Sequence, residues 1–193
     1  MFKRIIAIFI CSLFLLLLLG CSSEKKASPE TQKENLLKWH NEIQPSINLG
    51  RAAANELISL MEKYDSNLIS EDKLIKELNS IHDNSLIIKN KVSDIKIPDG
   101  FNRDQWNEFT EINNLVENNL EKITDTALNI QLHINDSNRN KINILSSGLH
   151  NRIKDLQKAD KDLETIMEKY NAYSVPQKAA ASDSDDTVIL KLK

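Results

Sequence analysis

From Leu36 to Tyr170 apolar side chains return every third or fourth residue, and this one period constrains the chain more than any other feature. A repeat near 3.6 gathers those residues into a stripe along one side of a helix, and the stripe must be covered by other helices. Four such runs occur. The first carries Leu36, Trp39 or His40, Ile43, Ile47, Ala54, Leu57, Met61 and Tyr64, and the second Leu74, Leu78, Ile81, Ser85, Ile88, Val92 and Ile95. The third carries Trp106, Phe109, Ile112, Val116, Leu120, Ile123, Ala127 and Ile130. The fourth carries Ile142, Leu145, Leu149, Ile153, Leu156, Leu163, Ile166 and Tyr170. Lys, Glu, Asp and Asn fill the intervening positions.

Punctuation separates the runs. Ser28-Pro29-Glu30 supplies a capping hydroxyl, a proline in the first turn and an acid near the positive end of the helix dipole. The second helix starts near Ser70, Pro98-Asp99-Gly100 stops it, and Asp136 or Ser137 caps the fourth. Pro45 lies inside the first helix, where the missing N–H leaves the Asn41 carbonyl without its partner and predicts a kink. Connections this short make consecutive helices antiparallel. The expectation is an all-α, antiparallel up-down-up-down four-helix bundle over residues 30–173, with helices roughly 40–50 Å long at ~1.5 Å per residue. A long two-stranded coiled coil would be broken by Pro98-Asp99-Gly100. With only four glycines and four prolines, a turn-rich β-sandwich or barrel is excluded.

The two ends of the chain have a different character. Lys3 and Arg4 precede an uncharged apolar run from Ile5 to Leu19. Fifteen helical residues reach about 22 Å, short of the ~30 Å hydrocarbon core, so a secretory signal fits better than a membrane span. The run ends on Leu18-Leu19-Gly20-Cys21. These four residues resemble the lipobox of bacterial lipoproteins: an aliphatic residue, a tolerant position, a small residue and cysteine. The resemblance covers the targeting segment alone. It implies cleavage between Gly20 and Cys21 by a lipoprotein signal peptidase, and lipid (a diacylglycerol, with palmitate-type chains) on the Cys21 thiol. Two acyl chains at ~0.8 kcal/mol per buried methylene anchor durably where one does not. Residues 21–29 then form a tether. Heavy use of Asn, Lys and Ile beside the lipobox resembles small helical lipoproteins of low-GC Gram-positive bacteria. Residues 174–193 pass through Val175-Pro176 into a small, acidic stretch and read as a disordered tail. Asp183-Ser184-Asp185-Asp186 lacks the glycine and distal glutamate of a calcium loop.

Removal of the first 20 of 193 residues leaves 173, one domain in size, and takes the formal charge from −3 to −5 by loss of Lys3 and Arg4. Mild acidity without a basic stretch gives no footprint for nucleic acid. The only other cysteine, Cys11, leaves with the signal, so the mature chain has no disulfide, cysteine nucleophile or cysteine-based metal site.

Candidate chemistry is sparse. His40, His82, His133 and His150 fall one per helix; at most His82 and His150 share a height, on helices expected to be diagonal, and none has a glutamate three residues before it as in di-iron bundles. No nucleophile elbow, phosphate-binding glycine loop or His-Glu-x-x-His motif occurs. Glu71-Asp72 suits a helix start. Trp39 and Trp106 fall in first turns at the end expected to face the membrane, where core packing and an interfacial role compete. Counting along the helices places Gly50 and Ala54 at the height of Ser146, Ser147 and Gly148, with Thr124 to Ala127 close by. That layer is either a close approach of the first and fourth helices or a small polar-lined ligand cavity. No cofactor or metal is expected. The leading expectation is a non-enzymatic, membrane-anchored extracytoplasmic protein that acts through an envelope protein or cell-wall partner. The alternative is an extracytoplasmic small-ligand sensor using Gly50, Ala54, Ser147 and Gly148. A hydrolase or metalloenzyme ranks third.

Overall fold

Ser28 opens the first helix as its sequence context predicts, its hydroxyl accepting a hydrogen bond from the Thr31 amide at 3.2 Å. The computed structural model describes residues 27–135 and 139–174. They form four long helices: α1 (Pro29–Asp65), α2 (Glu71–Asp94), α3 (Arg103–Asn135) and α4 (Arg139–Lys169), with a short 3₁₀ turn at Ala172–Ser174. No strand occurs among the described residues. The signal segment, Gly20, Cys21, most of the tether, and the tail from Val175 onward lie outside them.

Side chains do the capping at three helix starts. Ser70 accepts from the Lys73 amide at 3.4 Å. At α3 the capping is reciprocal: the Asn102 side chain accepts from the Gln105 amide and the Gln105 side chain from the Asn102 amide, both at 3.0 Å. That satisfies two of the amides a helix start leaves orphaned. Gly100 turns the chain into α3 with φ +89°, which glycine adopts without penalty, and a Cβ there would also collide with Ala27.

The core is a set of seams with seven-residue spacing. Leu36, Ile43, Gly50 and Leu57 run down α1, Phe109, Val116, Ile123 and Ile130 down α3, and Ile142, Leu149, Leu156 and Leu163 down α4, all buried. Such spacing keeps one face on its neighbours when helices cross at a shallow angle. Polar contacts tie the seams together at successive levels. Ser93 donates to Glu117 at 2.6 Å and Lys89 meets Glu121 at 3.7 Å, joining α2 to α3. Lys169 meets Glu108 at 3.0 Å and Arg152 donates to the Asn119 side chain at 3.3 Å, joining α4 to α3. Arg51 pairs with Asp160 at 3.1 Å, and Gln44 donates to the same carboxylate at 2.6 Å.

Two expectations need correction. Helix α2, with 24 residues, is about 36 Å long at ~1.5 Å per residue, below the expected range, because the chain leaves it at Asp94 before Pro98. As expected, α1 runs through Pro45 as one helix, with Ile43, Ser46 and Ile47 buried on both sides of the missing bond. Trp106 is not part of the buried stripe of α3 but 46% exposed; it lies in the first turn of the helix, and the buried seam begins one turn later at Phe109.

Candidate functional site

The mid-bundle layer of small residues is only half assembled. Gly50 and Ala54 are buried on α1. A Cβ at Gly50 would stand 3.0 Å from a Leu120 methyl and 3.1 Å from a Leu156 methyl, so the missing side chain is replaced by leucines of α3 and α4. This is close packing of large against small, not a cavity. On α4 the expected partners do not arrive. Ser147 is exposed and turns its hydroxyl back to the Ile144 carbonyl at 2.8 Å, and around a Cβ at Gly148 nothing lies within 4 Å. Leu149 owns the seam, and Ser147 and Gly148 are rotated off it by 200° and 100°. Gly50 meets Leu156 on α4, eight residues beyond Gly148 and about 12 Å away along the helix at ~1.5 Å per residue, so height as well as azimuth departs from the expectation.

The buried polar groups that do stand in the core are Ser46, Ser85, Asn113, Asn119 and Thr124. Asn113 accepts from the Trp39 indole at 3.0 Å and donates to the Ile95 carbonyl at 3.2 Å, so one side chain links α1, α3 and the exit of α2. Thr124 bonds the Leu120 carbonyl at 2.8 Å. The Ser85 hydroxyl is buried without a hydrogen-bond partner. The sequence signal for Asn113 was available, since polar Asn113 adjoins Ile112 in the apolar register of the third run, but nothing local named Trp39 as its partner.

Surface grooves lie between helices and open to solvent. One of about 460 Å³ runs between α3 and α4, lined by Glu108, Glu111, Ile112, Lys158, Asp162 and Lys169 among others. Its cations are engaged: Lys158 with Asp162 at 2.5 Å and Lys169 with Glu108 at 3.0 Å. Those hydrogen bonds hold both ammonium groups above the ordinary lysine range. A second groove, of about 440 Å³, lies between α1 and α2 where Pro45, Ser46 and Leu49 face Ile88, Lys91 and Ile95. Others of about 360 and 320 Å³ lie at the two ends of that same helix pair. None of these four is lined by Gly50, Ala54, Ser147 or Gly148.

The histidines stay apart. His40 meets the Tyr173 hydroxyl at 3.2 Å and the Asn41 side chain at 3.2 Å, and His82 meets Asp83 at 3.0 Å. His150 is exposed. The Tyr173 phenol lies above its ordinary pKa through partial desolvation and the nearby Glu164, Glu168 and Asp160 carboxylates. Among the described residues no group of three or more His, Cys, Asp or Glu is placed to hold a metal ion, and no helix is long and apolar enough to cross a membrane.

At the α1-start end, four aromatic rings interlock. Phe109 stands 5.2 Å from Trp39, 4.9 Å from Phe101 and 6.4 Å from Tyr170, and Phe101 lies 5.4 Å from Tyr170. Beside them Gln32 donates to the Gly100 carbonyl at 2.5 Å and Asn35 to the Asp99 carbonyl at 3.1 Å. This end is pinned to the 95–102 loop and carries the chain's emergence from residue 26. Comparison of the chain with family models, with curated proteins and with solved structures finds no match to any of them.

Proposed function

We propose that the chain is a lipid-anchored extracytoplasmic protein of the cell membrane, non-enzymatic, whose antiparallel up-down-up-down bundle works through contacts with an envelope protein or the cell wall. The observation that carries this reading is Leu18-Leu19-Gly20-Cys21 directly after an uncharged apolar run. Its fit to the folded part is economical: capping at Ser28 begins seven residues after Cys21. The antiparallel arrangement is supported by the reversed order of contacts. Along α1, Gln44 and Arg51 both reach Asp160 while the earlier His40 reaches Tyr173; along α2, Lys89 and Ser93 reach Glu121 and Glu117. In that arrangement the exposed apolar residues Leu68, Leu128, Leu132 and Ile144 gather at the end away from the anchor, where a partner would meet them.

The test is processing in cells. The wild-type chain is expected to partition into detergent as an acylated species shortened by 20 residues, and Cys21→Ala is expected to stay uncut and without lipid. If Cys21→Ala still yields a shortened species that partitions into detergent, the anchor reading fails.

A further inference from the structure

The end of the bundle where α1 begins leaves one tryptophan half exposed. The chain has two tryptophans. Trp39 is buried at 2% exposure with its indole N–H on Asn113, whereas Trp106 is 46% exposed in the first turn of α3. Side chains on a helix lean toward its N-terminus, so the Trp106 indole lies over the start of α3 and points toward the end of the bundle rather than along its flank. That end is where Ala27 packs against Gly100, and Gln32 and Asn35 bind the 99–100 carbonyls. Six residue steps lead from Cys21 to Ala27, and at ~3.3–3.6 Å each they span at most about 22 Å.

We propose that Trp106 seats in the headgroup layer of the bilayer that holds Cys21, so that the end formed by the first turns of α1 and α3 and the 95–102 loop rests on the membrane. The inference builds on the lipid-anchor reading, because the short tether is what keeps this end and no other within reach of lipid. An indole, apolar across its body and a donor at one edge, is suited to that boundary. Charge does not drive the contact. Lys33, Lys96 and Arg103 at this end are outnumbered by Glu30, Glu34, Asp99 and Asp104, so no excess of cations selects an anionic surface and neutral phosphatidylcholine is the fitting one.

Tethering by chemistry separates the two readings. The chain from Cys21 onward contains every described residue and a single thiol, which can be coupled to a maleimide lipid in phosphatidylcholine vesicles brominated high on the acyl chains. Wild type and Trp106→Phe are compared, with circular dichroism checking that both keep their helices. The difference between their spectra is the emission of Trp106 alone. It is expected to shift to shorter wavelength and to lose about half its intensity to the bromines, as for an indole at headgroup depth, while emission from the buried Trp39 is unchanged. Trp106 emission indifferent to bromine on fully coupled vesicles overturns the seating. Since the maleimide supplies the tether, that failure is distinct from failure of Cys21 lipidation, which the Cys21→Ala processing assay reads on its own.

Discussion

Two glycines on helices show how much depends on what a single Cβ would meet. At Gly148 the space is open, so Gly148→Ala gains helix propensity at no steric cost and is expected to raise stability by about 0.5–1 kcal/mol in chemical denaturation. At Gly50 the same methyl must displace Leu120 and Leu156, both fully buried, and the gain is expected to vanish or reverse. Ala54→Leu at 0% exposure overfills the same seam and is expected to cost roughly 1–3 kcal/mol. An Ala54→Leu variant as stable as wild type would mean that space exists beside α1 after all. Heights were legible only to within about two turns, since rise per residue is fixed but Gly50 meets Leu156, eight residues beyond Gly148. Which way Ser147 and Gly148 face was not, because one step of sequence is a 100° turn and Leu149 competes for the same seam.

Helix boundaries were legible wherever a side chain caps locally. Ser28 and Ser70 act as the sequence predicts, and Asn102 with Gln105 makes a reciprocal cap that the Pro98-Asp99-Gly100 stop signal overshadowed. The pairing of elements was less legible, since Trp39 to Asn113 joins residues 74 apart and no local rule names them. Pro45 shows an element tolerating a local cost. Proline inside a helix costs about 3 kcal/mol relative to alanine, yet α1 continues because its buried face holds on both sides. Pro45 itself is exposed and lines the groove with Leu49 and Ile88. Pro45→Ala restores the amide that can reach the Asn41 carbonyl, and thermal and urea unfolding are expected to show a gain of up to about 3 kcal/mol. A loss on that substitution would mean that the proline ring is itself required for α1 to pack against α2.

For the molecule as a whole, stability at high pH converges on the aromatic end. Tyr170 packs on Phe101 and Phe109, and its hydroxyl is buried without a well-formed hydrogen bond. Burial pushes this phenol above its ordinary value of 10.0, against the opposing pull of the Lys169 ammonium 5.5 Å from the ring. The adjacent Lys169 is itself raised from 10.5, chiefly by its hydrogen bond to Glu108. Both groups therefore hold protons more tightly folded than unfolded. Their contribution is complete below about pH 10 and drains away as pH climbs through the folded values, because the unfolded chain releases those protons first. Lys169 and Lys158 are too exposed for their pairs to weigh heavily, and Tyr173 is more than half exposed, so Tyr170 carries most of the effect. The melting temperature is expected to fall as pH rises above about 10, and Tyr170→Phe is expected to flatten that fall. At neutral pH the same variant removes a buried hydroxyl without a good partner and keeps the ring, so it should match wild type or exceed it by about 1 kcal/mol. An alkaline transition that is as steep in Tyr170→Phe as in wild type would place the sensitive group elsewhere. A clear loss at neutral pH would show instead that the hydroxyl is bonded in solution, and that the aromatic end is held by a polar contact as well as by its rings.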